Sequence, residues 1–235
     1  MAELGLYYAT NRRHRGSDRW RPTSYSGEPS RDGMENLRFG RVTLPYDEGR
    51  VDSALLRDTG FGTGDGEKLA SHLYKQRRQA DIEAFEEQLD THTSDTRQDP
   101  SAFGSTRAFA ELQDAMRSGC DVLLYIHGFN VSWWQAVAAA GSLEIMLNRG
   151  RDATKPLVRV VLFTWPSDGR AVPYWSYFSD RSDAESSGGA AGRGFLKVRD
   201  FLIEARRAAN RAGEAPCRGE LHLLCHSMGN YVLQH

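Results

Sequence analysis

The hydrophobic pattern of this chain changes character at Asp121. Beyond it, continuous apolar runs alternate with stripes of helical period. Before it, short alternating segments are separated by long polar ones. Val122-Leu123-Leu124-Tyr125-Ile126 is an unbroken apolar run, as a strand buried on both faces of a parallel sheet requires. The turn His127-Gly128-Phe129-Asn130 leads into a helix over 132–149, with a stripe of Trp134, Val137, Ala138, Gly141 and Ile145 and Gly150 as its stop. Residues 157–165 read as the next buried strand, cut off by Pro166-Ser167-Asp168-Gly169. A loop carrying Tyr174, Trp175, Tyr177 and Phe178 follows. Past Gly188, Gly189 and Gly192 a helix begins, with a stripe of Phe195, Val198, Leu202, Ala205 and Ala209 and an end at Gly213. Residues 221–224 are a further strand. Strands and helices alternating through short connections predict right-handed crossovers and a mostly parallel sheet with helices on both faces, an α/β fold.

The first half is less regular. Residues 6–10 (Leu-Tyr-Tyr-Ala-Thr) read as a strand, and 11–36 as a long polar loop. The arginines of that loop, Arg12, Arg13, Arg15, Arg19 and Arg21, suit a solvated surface partly neutralised by Asp18, Glu28 and Asp32 better than an anion site. Residues 37–44 alternate and predict a second strand, placed at the sheet edge by Pro45. Residues 47–66 look like loop, and 67–89 like one charged helix using Leu69, Leu73, Ile82, Phe85 and Leu89. A linker over 90–105 precedes a short amphipathic helix marked by Phe109, Leu112 and Met116 and closed by Gly119. The stretch 45–119 reads as helical and loop decoration within a single domain spanning 1–235.

The chemistry concentrates in Leu221-His222-Leu223-Leu224-Cys225-His226-Ser227-Met228-Gly229-Asn230. An apolar strand ends, a Ser follows two residues after a small residue, then Gly, then a fresh apolar pattern. This is the layout of a strand–turn–helix elbow that lifts a nucleophilic hydroxyl clear of the sheet. Gly229 meets the need for a small neighbour, and Cys225 stands where such turns usually have Gly. A Ser before a helix is also a common N-cap, but the flanking strand and helix favour Ser227 as nucleophile. His226 follows the turn away from Ser227 and makes a poor base. Acyl transfer needs donors for the developing oxyanion. The Met228 N–H is one, and the turn after the 122–126 strand supplies the other, the Phe129 N–H, with Gly128 shaping the approach. The His127 side chain reads as a structural hydrogen-bonder. Asn130, Trp165 and Asp168, on loops at the carboxyl ends of the strands, are placed against the substrate.

Charge and cysteine content narrow the remaining classes. With 30 basic and 31 acidic residues the chain has no net field to steer it to nucleic acid or membrane. Cys120, Cys217 and Cys225 are odd in number and adjoin buried strands, which argues for reduced thiols. No signal peptide opens the chain and no apolar run reaches spanning length, so a cytoplasmic protein is the expectation.

Residues 125–130 (YIHGFN), 163–169 (FTWPSDG) and 226–230 (HSMGN), with 7–12 (YYATNR), 39–42 (FGRV) and Ser179-Asp180-Arg181, resemble a bacterial α/β-hydrolase family labelled esterase/lipase superfamily, a domain of unknown function. The resemblance implies an α/β-hydrolase fold, a Ser–His–Asp triad and no cofactor; it implies nothing about a metal, and no His, Cys or Asp cluster has ligand spacing. A small-molecule ester or related acyl substrate is the expectation. That fold delivers its triad in the order Ser, acid, His. Here Ser227 is followed only by His235 and no acid, so the acid and base, and the C-terminal strands, are expected beyond His235. Asp168 and Asp180 lie upstream on loops and are weak candidates for the acid. Two functions stay open: a serine hydrolase, with acyl transfer to another acceptor as a variant, and a non-catalytic binding module on the same scaffold.

Overall fold

The strands in chain order are β1 (Ala2–Thr10), β2 (Arg12–Arg15), β3 (Ser24–Pro29), β4 (Arg38–Tyr46), β5 (Asp81–Ala84), β6 (Asp121–Ile126), β7 (Val158–Thr164) and β8 (Leu221–Cys225). The helices are α1 (Glu48–Leu55), α2 (Gly66–Lys75), α3 (Gly104–Arg117), α4 (Trp133–Asn148), α5 (Trp175–Ala212) and α6 (Gly229–Gln234). These come from a computed structural model. It describes residues 1–34, 36–55, 66–87, 99, 102–149, 157–167, 175–213 and 219–235.

Six strands form one sheet in the order β5-β4-β1-β7-β6-β8. β1, β7, β6 and β8 pair in parallel, and β4 runs antiparallel to both β1 and β5. The expected mostly parallel sheet with helices on both faces is what the chain forms. Alternation along the strands sorts side chains between the faces. Leu6, Tyr8, Val160 and Leu162 pack with Trp133, Ala136, Val137 and Ala140 of α4. Ala9, Ile126 and Phe163 face the other way, toward Ala108 and Phe109 of α3 and Ala184 and Ala191 of α5. α2 fastens to α4 through Leu69 and Leu73, both fully buried. Each contributes about 1.5–3 kcal/mol of burial.

Four expectations are corrected. The segment 11–36 is not all loop: β2 and β3 form a two-stranded antiparallel sheet. It is anchored because Tyr25 packs on both Tyr8 and Trp133, which also touch each other, with its hydroxyl 2.8 Å from that of Tyr8. β4 is not an edge. β5 lies outside it, pairing only over Gly40–Thr43 and so leaving Pro45 past the reach of that partner. The helix expected over 67–89 stops at Lys75, and after a 3-10 turn (Gln76–Gln79) the chain becomes β5. Ile82 and Ala84 alternate with Asp81 and Glu83, a period-2 pattern that the apolar spacing of the preceding helix concealed. Residues 48–55, read as loop, are α1.

α5 also begins earlier than its apolar stripe suggested, at Trp175, and runs through Gly188, Gly189 and Gly192. Of these only Gly188 marks close packing; a Cβ on Gly189 or Gly192 would meet nothing within 4 Å. A Cβ on Gly188 would lie 2.4 Å from the backbone of His235, so the small face of α5 seats the end of α6. In α4 the fully buried indole is that of Trp133, with Trp134 only partly covered. The short helix over Phe109–Met116 forms as expected, and Gly119 beyond it takes φ +92°. Leu89, Gly150, Asp168, Tyr174 and Cys217 lie outside the described residues.

β8 occupies the end of the sheet. Among the described residues it pairs only with β6, and Leu221, Leu223 and Leu224 are each 40–45% exposed. Among the described residues no helix is long and apolar enough to cross a membrane.

Candidate active site

β8 hands the chain to α6 through a turn whose apex is Ser227 at φ +51°. L-residues other than Gly seldom adopt this left-handed conformation, and its cost of about 1–3 kcal/mol persists only where surrounding contacts impose it. Those contacts are present. The His226 N–H donates to the Ile126 carbonyl (2.9 Å), and the Gly229 N–H to the His226 carbonyl (2.8 Å). A Cβ on Gly229 would sit 2.6 Å from the Ile126 oxygen and 2.9 Å from that of His127, so only glycine lets the helix start this near the strand. The Ser227 side chain is exposed, and Met228 beside it is buried as the helix N-cap. Cys225 is a free thiol whose pKa burial raises, consistent with an inert space-filling role where glycine is usual.

The turn after β6 lies directly against this elbow. A Cβ on Gly128 would stand 2.9 Å from the Ser227 Cβ and 3.0 Å from both the Nδ1 and the carbonyl of His226. The backbone from His127 to Val131 is then held at successive points. The Trp165 indole N–H donates to the His127 carbonyl (3.0 Å), and the Arg12 guanidinium donates to the Val131 carbonyl (2.7 Å). The Ser167 hydroxyl accepts the Val131 N–H (3.1 Å) and donates to Asp180 Oδ2 (2.5 Å). The same carboxylate accepts the Asn130 N–H (3.1 Å), holding Asn130 at φ +58°.

Beneath this turn sits a buried polar network. Arg12, expected among solvated arginines, is 1% exposed. Its five N–H groups reach Thr164 Oγ1 (2.8 Å), the Ser26 and Ser167 carbonyls (3.1 Å each), His127 Nε2 (3.3 Å) and the Val131 carbonyl. Five is the whole donor capacity of a guanidinium. A buried charge costs several kcal/mol unless so satisfied. Arg13, Arg19 and Arg21, by contrast, do pair at the surface, with Glu28, Asp32 and Asp81.

His127 reads clearly in this setting. Its Nδ1–H donates to the Gly128 carbonyl (2.8 Å), and Nε2 accepts from Arg12 and from the Thr164 hydroxyl (2.9 Å). Complete burial, then the Arg12 charge, pushes its pKa down to about 3, so the ring stays neutral. Thr10 completes the cluster, donating its hydroxyl to the Thr164 carbonyl (2.8 Å) and accepting the Arg12 N–H.

The residues picked out from sequence separate accordingly. Ser227, Met228, Gly128, Phe129 and Asn130 come together where β6 and β8 end. Trp165 does not line a substrate space: it is fully buried, stacked on His127 at 5.3 Å between centroids, and braces the turn. Asp168 lies outside the described residues. Asp180 is on α5 rather than on a loop, and its carboxylate accepts the Asn130 N–H and the Ser167 hydroxyl, holding the turn after β6. The side chain of Asn130 carries a buried Oδ1 with no partner among the described residues. His226 and Ser227 make no side-chain hydrogen bond among the described residues, and the His235 ring rests on Tyr231 (4.4 Å).

Arg12, Thr164 and Ser167 went unrecognised as site residues, and Asp180 was considered only as a weak candidate for the triad acid. The available signal was a polar residue closing each apolar strand, Thr10 at the end of β1, His127 after β6 and Thr164 at the end of β7. The apolar cavity under α3 and α5, lined by Phe39, Phe109, Leu124 and Phe195, includes no described residue of the elbow or of the turn after β6. Among the described residues no group of three or more His, Cys, Asp or Glu could hold a metal ion.

The model of one protein family, described as alpha/beta hydrolase of unknown function (DUF900), matches residues 105–235. No curated protein and no solved structure matches the chain. The matched span covers more than half of the sequence and contains β6, β7, β8, the elbow and the turn packed on it. With the parallel sheet and its left-handed serine, this places the chain in that family of α/β hydrolases of unknown function.

Proposed function

We propose that the protein is a serine hydrolase acting on an ester or related acyl bond of a small molecule, with Ser227 as nucleophile. The observation that carries this reading is the left-handed Ser227 with Gly128 pressed against it. A structural N-cap needs neither the strained apex nor a second turn at van der Waals distance. In this reading the Met228 and Phe129 N–H groups receive the oxyanion of the tetrahedral intermediate. The clamping of residues 127–131 by Trp165, Arg12, Ser167 and Asp180 supports preorganisation, because donors that are already fixed need not reorganise as charge develops.

Ser227 attacks the carbonyl carbon, its proton passes to a general base, and the acyl-enzyme is released by water. None of the described histidines is hydrogen-bonded to Ser227, and the neutral, fully engaged His127 is unsuited to the part. The base and its orienting acid are not identified among the described residues. The unpartnered hydroxyl favours a second reading of 1–235 alone, a binding module without turnover.

A fluorophosphonate probe tests the nucleophile. Labelling of the protein that Ser227→Ala abolishes supports the assignment, and undiminished labelling of the Ala variant refutes it. Hydrolysis of p-nitrophenyl acetate then separates the two readings: turnover lost with Ser227→Ala identifies a hydrolase, and its absence in the intact protein identifies a binding module.

A further inference from the structure

We infer that the cavity between the sheet, α3 and α5 is a binding site for one unbranched alkyl chain. It has a volume of about 70 Å³ and is walled by both helices and by β4, β1, β7, β6 and β8. Protein cores hold few voids larger than a single water. A water-sized sphere needs about 10–15 Å³ of such space, so this cavity takes roughly five. Small residues keep it open. Ala9 on β1, Ala108 on α3 and Ala191 on α5 all line it, and all are buried.

The walls give water nothing to hold. An ordered buried water needs about two to four polar partners. The hydroxyls among the lining residues are those of Tyr7 and Tyr8, and both are engaged elsewhere. Tyr7 donates to Glu111 Oε2 (2.7 Å), while Tyr8 turns its ring to the opposite face of the sheet, against Trp133, and pairs with Tyr25 (2.8 Å). Gln113, the remaining polar side chain among the described lining residues, is only partly buried. No lining residue carries a buried, unpartnered side-chain nitrogen or oxygen among the described residues. Such a cavity stays dry and takes an apolar guest.

Shape selects a chain over a ring. The strand positions that line the cavity run from Phe39 on β4, through β1, β7 and β6, to Leu221 on β8. Four steps between strands at about 4.8 Å each span about 19 Å. Roughly five water-sized spheres along that distance stand in single file, which fits a polymethylene chain and not fused rings. Phe39, Ala9, Phe163 and Val122 along the way are buried, whereas Leu221 is 43% exposed. Among the described residues the β8 end is therefore the one that meets solvent. The cavity is also separate from the site of the proposed reaction. It reaches Leu124 on β6 and Leu221 on β8, whereas the turn and the elbow begin beyond Ile126 and Cys225. Binding there is independent of Ser227.

Calorimetric titration of residues 1–235 with 1-hexanol, 1-octanol, 1-decanol, decanoate and 1-naphthol tests this. One alcohol should bind per chain, with affinity rising about fourfold for each added methylene, the factor for burying one CH₂. 1-Naphthol, with as many carbons as 1-decanol, should bind more weakly. Tighter binding of decanoate than of 1-decanol assigns a fatty acid, and the reverse assigns an uncharged lipid. Ala108→Leu and Ala191→Leu fill the cavity from two different helices, and each should weaken 1-decanol binding by about tenfold or more without lowering Tm. Leu224→Lys, on the exposed strand but outside the cavity, should leave binding unchanged. In the unsubstituted protein the methyl resonances of Leu124 and Val161 should move in step with the heat, which keeps the test open if a filled variant fails to fold. Affinity indifferent to chain length, tighter binding of 1-naphthol, full binding by a folded filled variant, binding lost in Leu224→Lys, or Leu124 and Val161 resonances blind to 1-decanol would each overturn the proposal.

Discussion

Neutral, buried His127 makes the stability of this protein acid-sensitive by a predictable amount. Its pKa stands at about 3 in the folded chain against an ordinary 6.5. Because the folded value is the lower one, the unfolded state gains the proton first. Stability is therefore full above pH 6.5, begins to fall there, and goes on falling until the folded ring itself titrates near pH 3. Each pH unit inside that window is worth about 1.4 kcal/mol, so moving to about pH 5 removes about 2 kcal/mol through this one residue. Against a typical stability of about 5–15 kcal/mol that is readily measured.

His127→Asn isolates the effect: the amide can still donate to the Gly128 carbonyl but has no proton to gain. Urea unfolding at about pH 7.5 and about pH 5 should show the variant less stable at the higher pH yet flatter, with about 2 kcal/mol less dependence between them. Equal pH dependence in both proteins would refute the reasoning. So would an imidazole resonance of His127 that titrates near 6.5.

Other expectations rest on the same site. Gly128→Val drives a side chain into Ser227 and should lower turnover by about 10²–10³, the scale of a lost oxyanion donor, in a protein that still folds by circular dichroism. Arg12→Lys keeps the charge but offers three donors for five acceptors. It should cost about 1–3 kcal/mol for each acceptor left bare, read as a lowered urea midpoint. Asp180→Ala strips the Asn130 N–H and the Ser167 hydroxyl of their acceptor and should reduce kcat more than KM, with Asp180→Asn recovering part of the loss. Leu223→Lys on the exposed β8 should shift sedimentation of residues 1–235 toward monomer, and no change would show that this edge does not self-associate.

The parts of the fold legible from sequence are those governed by local rules. β6, β7 and β8 announce themselves as apolar runs, and the elbow needs only the order of small and apolar residues around Ser227. β5 was invisible because Ile82 and Phe85 continue a helical spacing set by Leu69 and Leu73. Only pairing with β4 makes a strand of them. Arg12 was misread for the opposite reason. Its neighbours Arg13 and Arg15 are partly or fully exposed, and no local pattern says that one arginine of the set will be enclosed by carbonyls from residues 26, 131 and 167. The elbow was therefore readable and the supports of the turn beside it were not, since they are defined by contacts 13 to 155 residues apart, which no local pattern encodes.

Those long-range contacts also set an order of assembly. β1 lies at the very start of the chain, yet its parallel partner is Tyr7↔Val161 through Thr10↔Thr164. The arginine that follows it needs the Val131 and Ser167 carbonyls. During synthesis at about 5–20 residues per second, the first strand waits roughly 8 to 30 seconds for its neighbour to be made. Until then β1 has only the antiparallel β4 as a strand partner. The turn after β6, which Arg12 clamps, is consequently among the last features to set. Slow, topology-limited folding and an early demand for protection of the N-terminal hairpin follow from where one buried arginine sits.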